Sequence, residues 1–163
     1  YPLKVLRDEG HEVTGFWHNP NIHPYQEYKK RLEAVKEMSE RLGLDMIYRD
    51  SYDLENFLRK VVFREDERCK FCYGIRLKAS AEESIKGGFN IFTSSLLYSK
   101  YQDFDGIVGT GEGIAKGYGL DFYKRDFREG WDEGRKTSIE MGLYRQKYCG
   151  CIYSEKERYL KGE

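Results

Sequence analysis

Apolar positions in this chain recur with two alternating periods. Tyr28, Leu32, Val35, Met38 and Leu42 repeat at steps of four and three, a single helical stripe that Pro24 opens and Gly43 closes. Glu27–Arg31, Glu33–Lys36 and Glu37–Arg41 are spaced to decorate the outer face of that helix. Before it, Glu12 to Trp17 has the β-branched and aromatic content of a strand, ending in the turn-rich loop His18–Pro24. After it come a strand at Asp45–Arg49 and a helix capped by Asp53 that turns Leu54, Phe57, Val61 and Val62 inward. Tyr73, Leu77, Ala81 and Ile85 then mark a further helix, stopped by Gly87-Gly88.

The same reading predicts a strand at Asn90–Thr93, a helix from Phe104 to Tyr118, and a short strand at Leu120–Lys124. A last helix runs from about Asp132 to Lys147. The glycines at 106, 109, 111 and 113 invite a phosphate-loop reading, but no Gly-Lys-Ser/Thr accompanies them and no strand leads into them. They fall inside a helical stripe instead. Strands alternating with helices predict one α/β domain over 1–163, with a mostly parallel sheet, helices on both faces and a Cys-rich metal-binding C-terminal segment. A short helix at residues 1–10 precedes the strand–helix–strand run, so a first strand is expected to be missing in front of it. In such sheets ligands bind beyond the carboxyl ends of the strands, where His18–His23 and Ser94-Ser95 would lie.

Composition narrows the function classes. Lys plus Arg and Asp plus Glu are 28 each in 163 residues, so no global field draws the chain to a polyanion, and any such partner must use a local patch. The best local patches are Lys124-Arg125 with Arg128, and Arg145 with Lys147, weighed evenly against plain solvated faces. Charged residues at 34% and a mean hydropathy of −0.78 exclude a membrane span and point to a cytoplasmic globule. Tyrosine, at 14 copies, is unusually frequent and is read mostly as half-exposed packing, with base stacking as its functional alternative.

The four cysteines form two pairs, Cys69-Lys70-Phe71-Cys72 and Cys149-Gly150-Cys151. A Cys-x-x-Cys at a helix start aims both sulfurs at one ion, and a Cys-Gly-Cys is a tighter clip. With no cysteine elsewhere, a metal or redox centre is the leading idea. The residues alone leave structural zinc, an iron–sulfur cluster, redox thiols and plain buried cysteines open; disulfides fit poorly in a chain of this size without a secretory signal. The alternating topology predicts both pairs at one rim of the sheet. His18 and His23 are further ligand candidates, weighed against simple turn roles.

Several stretches match a known pattern in order. They are Asn19-Pro20-Asn21-Ile22-His23-Pro24 with Glu27-Tyr28 and Arg31; Cys69-x-x-Cys72-Tyr73 with Arg76-Leu77; Phe92 to Ser99; Asp126-Phe127-Arg128; and Gln146-x-x-Cys149-Gly150-Cys151-x-Tyr153-Ser154. Together they resemble the QueH-type, cobalamin-independent epoxyqueuosine reductases of bacterial tRNA modification. The resemblance implies a HUP-like α/β core, a [4Fe–4S] cluster beside an additional iron ion, and reduction of epoxyqueuosine in tRNA to queuosine. With it, Cys69, Cys72, Cys149 and Cys151 are taken as the metal ligands; Asn19, Asn21 and Arg76 are candidate substrate contacts, weighed against bracing the loop and balancing nearby carboxylates; and Tyr73 and Asp126 are candidate proton donors, with a structural role favoured for each. The family also opens on a strand ending in Cys-Cys-Ala-Pro, absent here, which agrees with the inference of a missing first strand and leads us to expect a fragment with an incomplete metal site. The alternatives are a zinc-stabilised HUP-like nucleotide-binding module and an ATP-dependent tRNA-modifying enzyme.

Overall fold

The computed structural model describes residues 1–160. Helices dominate: α1 (Pro2–Asp8), α2 (Tyr25–Leu42), α3 (Leu54–Val61), α4 (Arg68–Gly87), α5 (Phe104–Tyr118), α6 (Trp131–Glu140) and α7 (Ile152–Tyr159). Between them lie the short strands β1 (Gly15–Trp17), β2 (Met46–Tyr48), β3 (Ile91–Phe92) and β4 (Asp121–Phe122). The α/β class and the parallel pairing are as expected. The strands are much shorter than the sequence implies, and each described sheet holds only two of them, β1–β2 and β3–β4. None of the described helices is long and apolar enough to cross a membrane.

The chain divides into two compact units: Tyr1–Pro2 with Leu58–Asp132, and Leu3–Phe57 with the described residues from Glu133 on. In the latter, β1 and β2 pair in the register Gly15↔Met46, Phe16↔Ile47, Trp17↔Tyr48. The inward stripe of α2 closes over them, burying Trp17, Ile22, Tyr28 and Leu32 as one cluster. Two polar atoms enter this core and find partners there, as burial demands. Trp17 Nε1 donates to the Tyr28 hydroxyl at 3.3 Å, and that hydroxyl donates to Asp50 Oδ1 at 2.6 Å. Gly43 ends α2 in the left-handed conformation at φ 54°. The Arg7 guanidinium caps the exposed carbonyls of Leu42 and Gly43 at 2.9 and 2.8 Å.

In the unit built around residues 58–132, α4 and α5 pack together beside the β3–β4 pair, burying Leu77, Ala81, Leu97, Ile107 and Phe127. The Asp103 side chain caps α5 by accepting from Gly106 N at 3.0 Å, and Gly119 ends the helix at φ 66°. The glycine-rich run is thus a helix. Its glycines differ in kind: a Cβ on Gly111 would lie 2.6 Å from the Phe122 ring, whereas one on Gly113 would meet nothing within 4 Å. Gly111→Ala is therefore expected to destabilise by about 1–3 kcal/mol through overpacking. Gly113→Ala is expected to stabilise by up to about 1 kcal/mol through helix propensity alone. Urea unfolding of the two variants checks the opposite signs.

The last predicted helix is shorter than its periodicity suggests. Gly142, at φ 65°, ends it after Glu140, so residues 143–151 run as an irregular segment rather than as helix. The short helix α7 then follows Cys151.

Candidate metal centre

The irregular segment is held by α2. Glu27 and Arg31 are not on an outer face as their spacing suggests; their side chains are 9% and 8% exposed. Arg31 donates from Nε to Glu27 Oε1 at 2.7 Å, from Nη1 to Gln146 Oε1 at 2.7 Å and the Cys149 carbonyl at 2.9 Å, and from Nη2 to the Tyr148 carbonyl at 2.9 Å. The planar fork of guanidinium suits such a set of fixed acceptors, which a lysine ammonium could not serve together. Tyr144 donates to the other oxygen of Glu27, and burial, reinforced by that carboxylate, pushes the Tyr144 hydroxyl up to about 12. Glu27 is thereby paired, and two carbonyls of the cysteine segment are satisfied.

A second set of bonds comes from the loop after β1. The His23 N–H donates to the Gly150 carbonyl at 2.7 Å, and the Tyr148 hydroxyl donates to the His23 carbonyl at 2.5 Å. Gly150 sits at φ 132°, a region that L side chains rarely adopt. A Cβ there would also come within 3.1 Å of Ile22 and 3.2 Å of Arg31. The glycine thus lets the chain turn between the two cysteines while lying against α2. Cys149 is exposed and Cys151 buried. Their side chains are within hydrogen-bond reach of each other, and this contact, with burial, pushes the Cys151 thiol up. Cys151 also starts α7, its sulfur accepting from Ser154 N at 3.4 Å.

His23 is almost fully buried, its ring set against Tyr52 and Phe57, and neither ring nitrogen has a hydrogen-bond partner among the described residues. Burial lowers its pKa from 6.5 to about 4. The unfolded chain therefore takes up a proton at this residue below about 6.5, and the folded one only near 4. Its contribution to stability is full above that window and falls as pH drops through it. A His23→Phe variant is expected to show a shallower loss of melting temperature between pH 7 and pH 4 than the wild type.

The other pair lies at the start of α4, as its spacing suggests, with Cys69 exposed in the first turn and Cys72 half-buried just beyond it. Tyr73, next to Cys72, is buried; its hydroxyl donates to Gln102 Oε1 at 3.1 Å and accepts from Asp103 N at 3.2 Å. Burial, with the neighbouring thiols, pushes it up to about 12. This ties the start of α4 to the head of α5. Arg76 follows one turn later, half-buried. Asp126 is exposed and accepts from Arg128 Nε at 2.8 Å and Nη2 at 2.6 Å, which holds its carboxyl below the usual range. Asn21 is buried in the loop after β1, and the Asn19 carbonyl accepts from Ile22 N at 3.4 Å. The basic stretch at 124–128 is locally balanced: Lys124 faces Glu112, Arg125 faces Glu129 and Arg128 faces Asp126. Arg145 and Lys147 remain exposed beside Gln146.

Each unit thus presents one pair of sulfurs, and within neither do the described residues gather three or more His, Cys, Asp or Glu side chains that could hold a metal ion. Soft sulfur donors in closely spaced pairs suit iron–sulfur clusters and iron, as they also suit zinc. In chemical kind the donor set fits the implied group.

Comparison with known proteins carries the reading further. A family model described as epoxyqueuosine reductase QueH matches residues 1–157. The chain belongs to the QueH family. The family's range takes in both cysteine pairs, the loop at 19–24 and the Arg31 hub. An epoxyqueuosine reductase QueH from Dehalococcoides mccartyi is 37% identical over 161 residues, covering 99% of this chain and 88% of that one. The QueH of Thermotoga maritima is 35% identical, covering 90% and 81%. That of Helicobacter pylori is 38% identical, but this chain spans only 46% of its length. The expected oxidoreductase class stands with the family. The sequence marks Glu27–Arg31 as an outer-face pair and Gln146 only as part of a QueH motif, and nothing in it singles out Tyr144 or Tyr148.

Proposed function

We propose that this protein reduces epoxyqueuosine in tRNA to queuosine, on a HUP-like α/β core. The observation that carries the reading is the Cys149-Gly150-Cys151 clip, bound through its backbone to Arg31 and His23, in a chain that matches the QueH family along nearly its whole length. A buried cation–carboxylate pair committed to main-chain carbonyls fixes a segment in place without consuming its thiols, which is what a pair of metal ligands needs.

The reaction breaks both epoxide C–O bonds, forms a carbon–carbon double bond and releases the oxygen as water, taking up two electrons and two protons. Cys69, Cys72, Cys149 and Cys151 would contribute ligands to a [4Fe–4S] cluster and an additional iron ion, four thiolates being the usual complement of the cluster alone. When bound, these supply electrons and a Lewis-acidic position for the departing oxygen. The chain's own residues do the rest. Asn21, Asn19 and Arg76 are the proposed substrate contacts, the first two on the loop that also braces the clip. Asp126 is ionised in its pair with Arg128 and has no proton to give at neutral pH; Tyr73 retains its proton but spends it on Gln102. Both act as anchors in this account.

The test is turnover. Protein purified without air is incubated with epoxyqueuosine-containing tRNA and dithionite, and the nucleosides are then analysed by mass spectrometry. Conversion to queuosine supports the proposal, and intact epoxyqueuosine alongside a correctly folded, metal-loaded protein would overturn it.

A further inference from the structure

Phe63 follows α3 with a left-handed backbone, φ 63°, the one non-glycine residue with positive φ among those described. This is the place after a helix where glycine is the norm, and an L side chain there costs about 1–2 kcal/mol. The backbone around it is fixed: Arg64 N donates to the Val61 carbonyl at 2.9 Å, and Phe63 N donates to Glu65 Oε1 at 3.1 Å. The fold gains little in return, because the ring is 94% exposed. A strained position that presents a large aromatic ring to solvent points to a use outside the folded core.

Its neighbours give the chemistry of the partner. Lys60, one turn earlier, and Arg64, next in sequence, are exposed and form no ion pair among the described residues, unlike the balanced cations at 124–128. Lys60 also lines an open groove of roughly 590 Å³, with Phe71 and Ile114 in its lining and Lys70 and Lys78 beside them. Lys70 is paired to Glu67, which lines the same groove, at 3.6 Å, and Glu65 and Asp66 follow Arg64 in sequence, so Lys60 and Arg64 are the two cations beside the ring that form no ion pair among the described residues. An aromatic face flanked by cations suits single-stranded nucleic acid, whose bases stack on the ring while phosphates meet the charges. An enzyme acting on a base within a polynucleotide must take that base out of its stack, which leaves neighbouring bases in need of a surface.

We propose that Phe63, with Lys60 and Arg64, is a docking point for the unpaired loop of the RNA substrate, its ring stacking on a base. The inference rests on the reductase reading and names the surface that reading lacks. The experiment uses the metal-loaded, full-length protein and epoxyqueuosine-containing tRNA, with Phe63→Gly, Phe63→Trp and Lys60→Gln/Arg64→Gln variants. Phe63→Gly relieves the backbone, so its melting temperature should equal or exceed that of the wild type. Its Kd and KM for tRNA should nevertheless rise about tenfold with kcat unchanged. Phe63→Trp should restore affinity, and the double charge variant should flatten the salt dependence of binding.

Wild-type affinity and KM in Phe63→Gly would overturn the proposal. So would a loss of folding in that variant, which would make the ring structural. A change of oligomeric state with tRNA affinity intact would do the same, assigning the ring to contacts between copies of this chain. If the wild type neither binds nor reduces the tRNA, the reductase reading itself fails, and that outcome is visible without any variant.

Discussion

Cys149→Ser and Cys151→Ser variants should melt close to the wild-type temperature and lose epoxyqueuosine reduction by at least about 100-fold, more than residues that merely orient metal ligands typically cost. The separation follows from how the clip is held. Its anchors are main-chain atoms: the carbonyls of Tyr148 and Cys149 on Arg31, and the carbonyl of Gly150 on the His23 N–H. None of these involves sulfur. At Cys151 the sulfur accepts from Ser154 N to cap α7, and a serine oxygen is a better cap than the thiol it replaces. Cys69→Ser, exposed in the first turn of α4, should behave the same way. A structural zinc site would behave otherwise, since loss of any ligand removes folding free energy. The check is thermal melting beside turnover of epoxyqueuosine-containing tRNA with a chemical reductant. Serine variants with wild-type turnover would remove these cysteines from the mechanism.

Arg31→Gln should be the more damaging change to the fold. It leaves the Glu27 carboxylate buried beside carbonyls that have lost their donor, and breaking a buried pair in this way costs about 3–5 kcal/mol. For a chain of this size that corresponds to a fall in melting temperature of roughly 10 °C. Arg31→Lys keeps the charge but not the fork, and should leave the segment loose at a smaller cost in stability. Glu27→Gln combined with Arg31→Gln should cost less than the sum of the two single changes, because each single variant strands the other partner. The decisive readout is at the cysteines. In both Arg31 variants Cys151, now buried, should be alkylated faster under native conditions. Unchanged melting and unchanged thiol reactivity would show that Arg31 does not hold the clip.

What could be read in the sequence was local. The stripe of α2, its stop at Gly43, the cap at Asp53 and the stop at Gly88 each depend on a few adjacent residues whose preferences agree, and they stand where expected. The errors came where distant segments decide. Glu27 and Arg31 have the spacing of a solvated surface pair; only the return of residues 144–150 over that face buries them. Trp131 and Ile139 continue a helical period toward Leu143, but a single left-handed glycine at 142 outweighs the pattern. The strands were over-read because apolar content marks a buried extended segment without saying how much of it finds a hydrogen-bonding neighbour. The cysteine pairs were legible as donor types, since soft sulfur at close spacing is a property of sequence. The bonds that position them are not, because side chain-to-carbonyl contacts across more than a hundred residues leave no local trace.

The claim that these cysteines hold a redox centre, rather than structural zinc, is tested most directly by metal analysis. Full-length wild-type protein and its Cys149→Ser/Cys151→Ser variant are purified without air, and iron, zinc and acid-labile sulfide are measured in each. The account predicts a brown wild type containing iron and sulfide, and a folded variant with markedly less of both. A colourless wild type carrying zinc and no sulfide would contradict it.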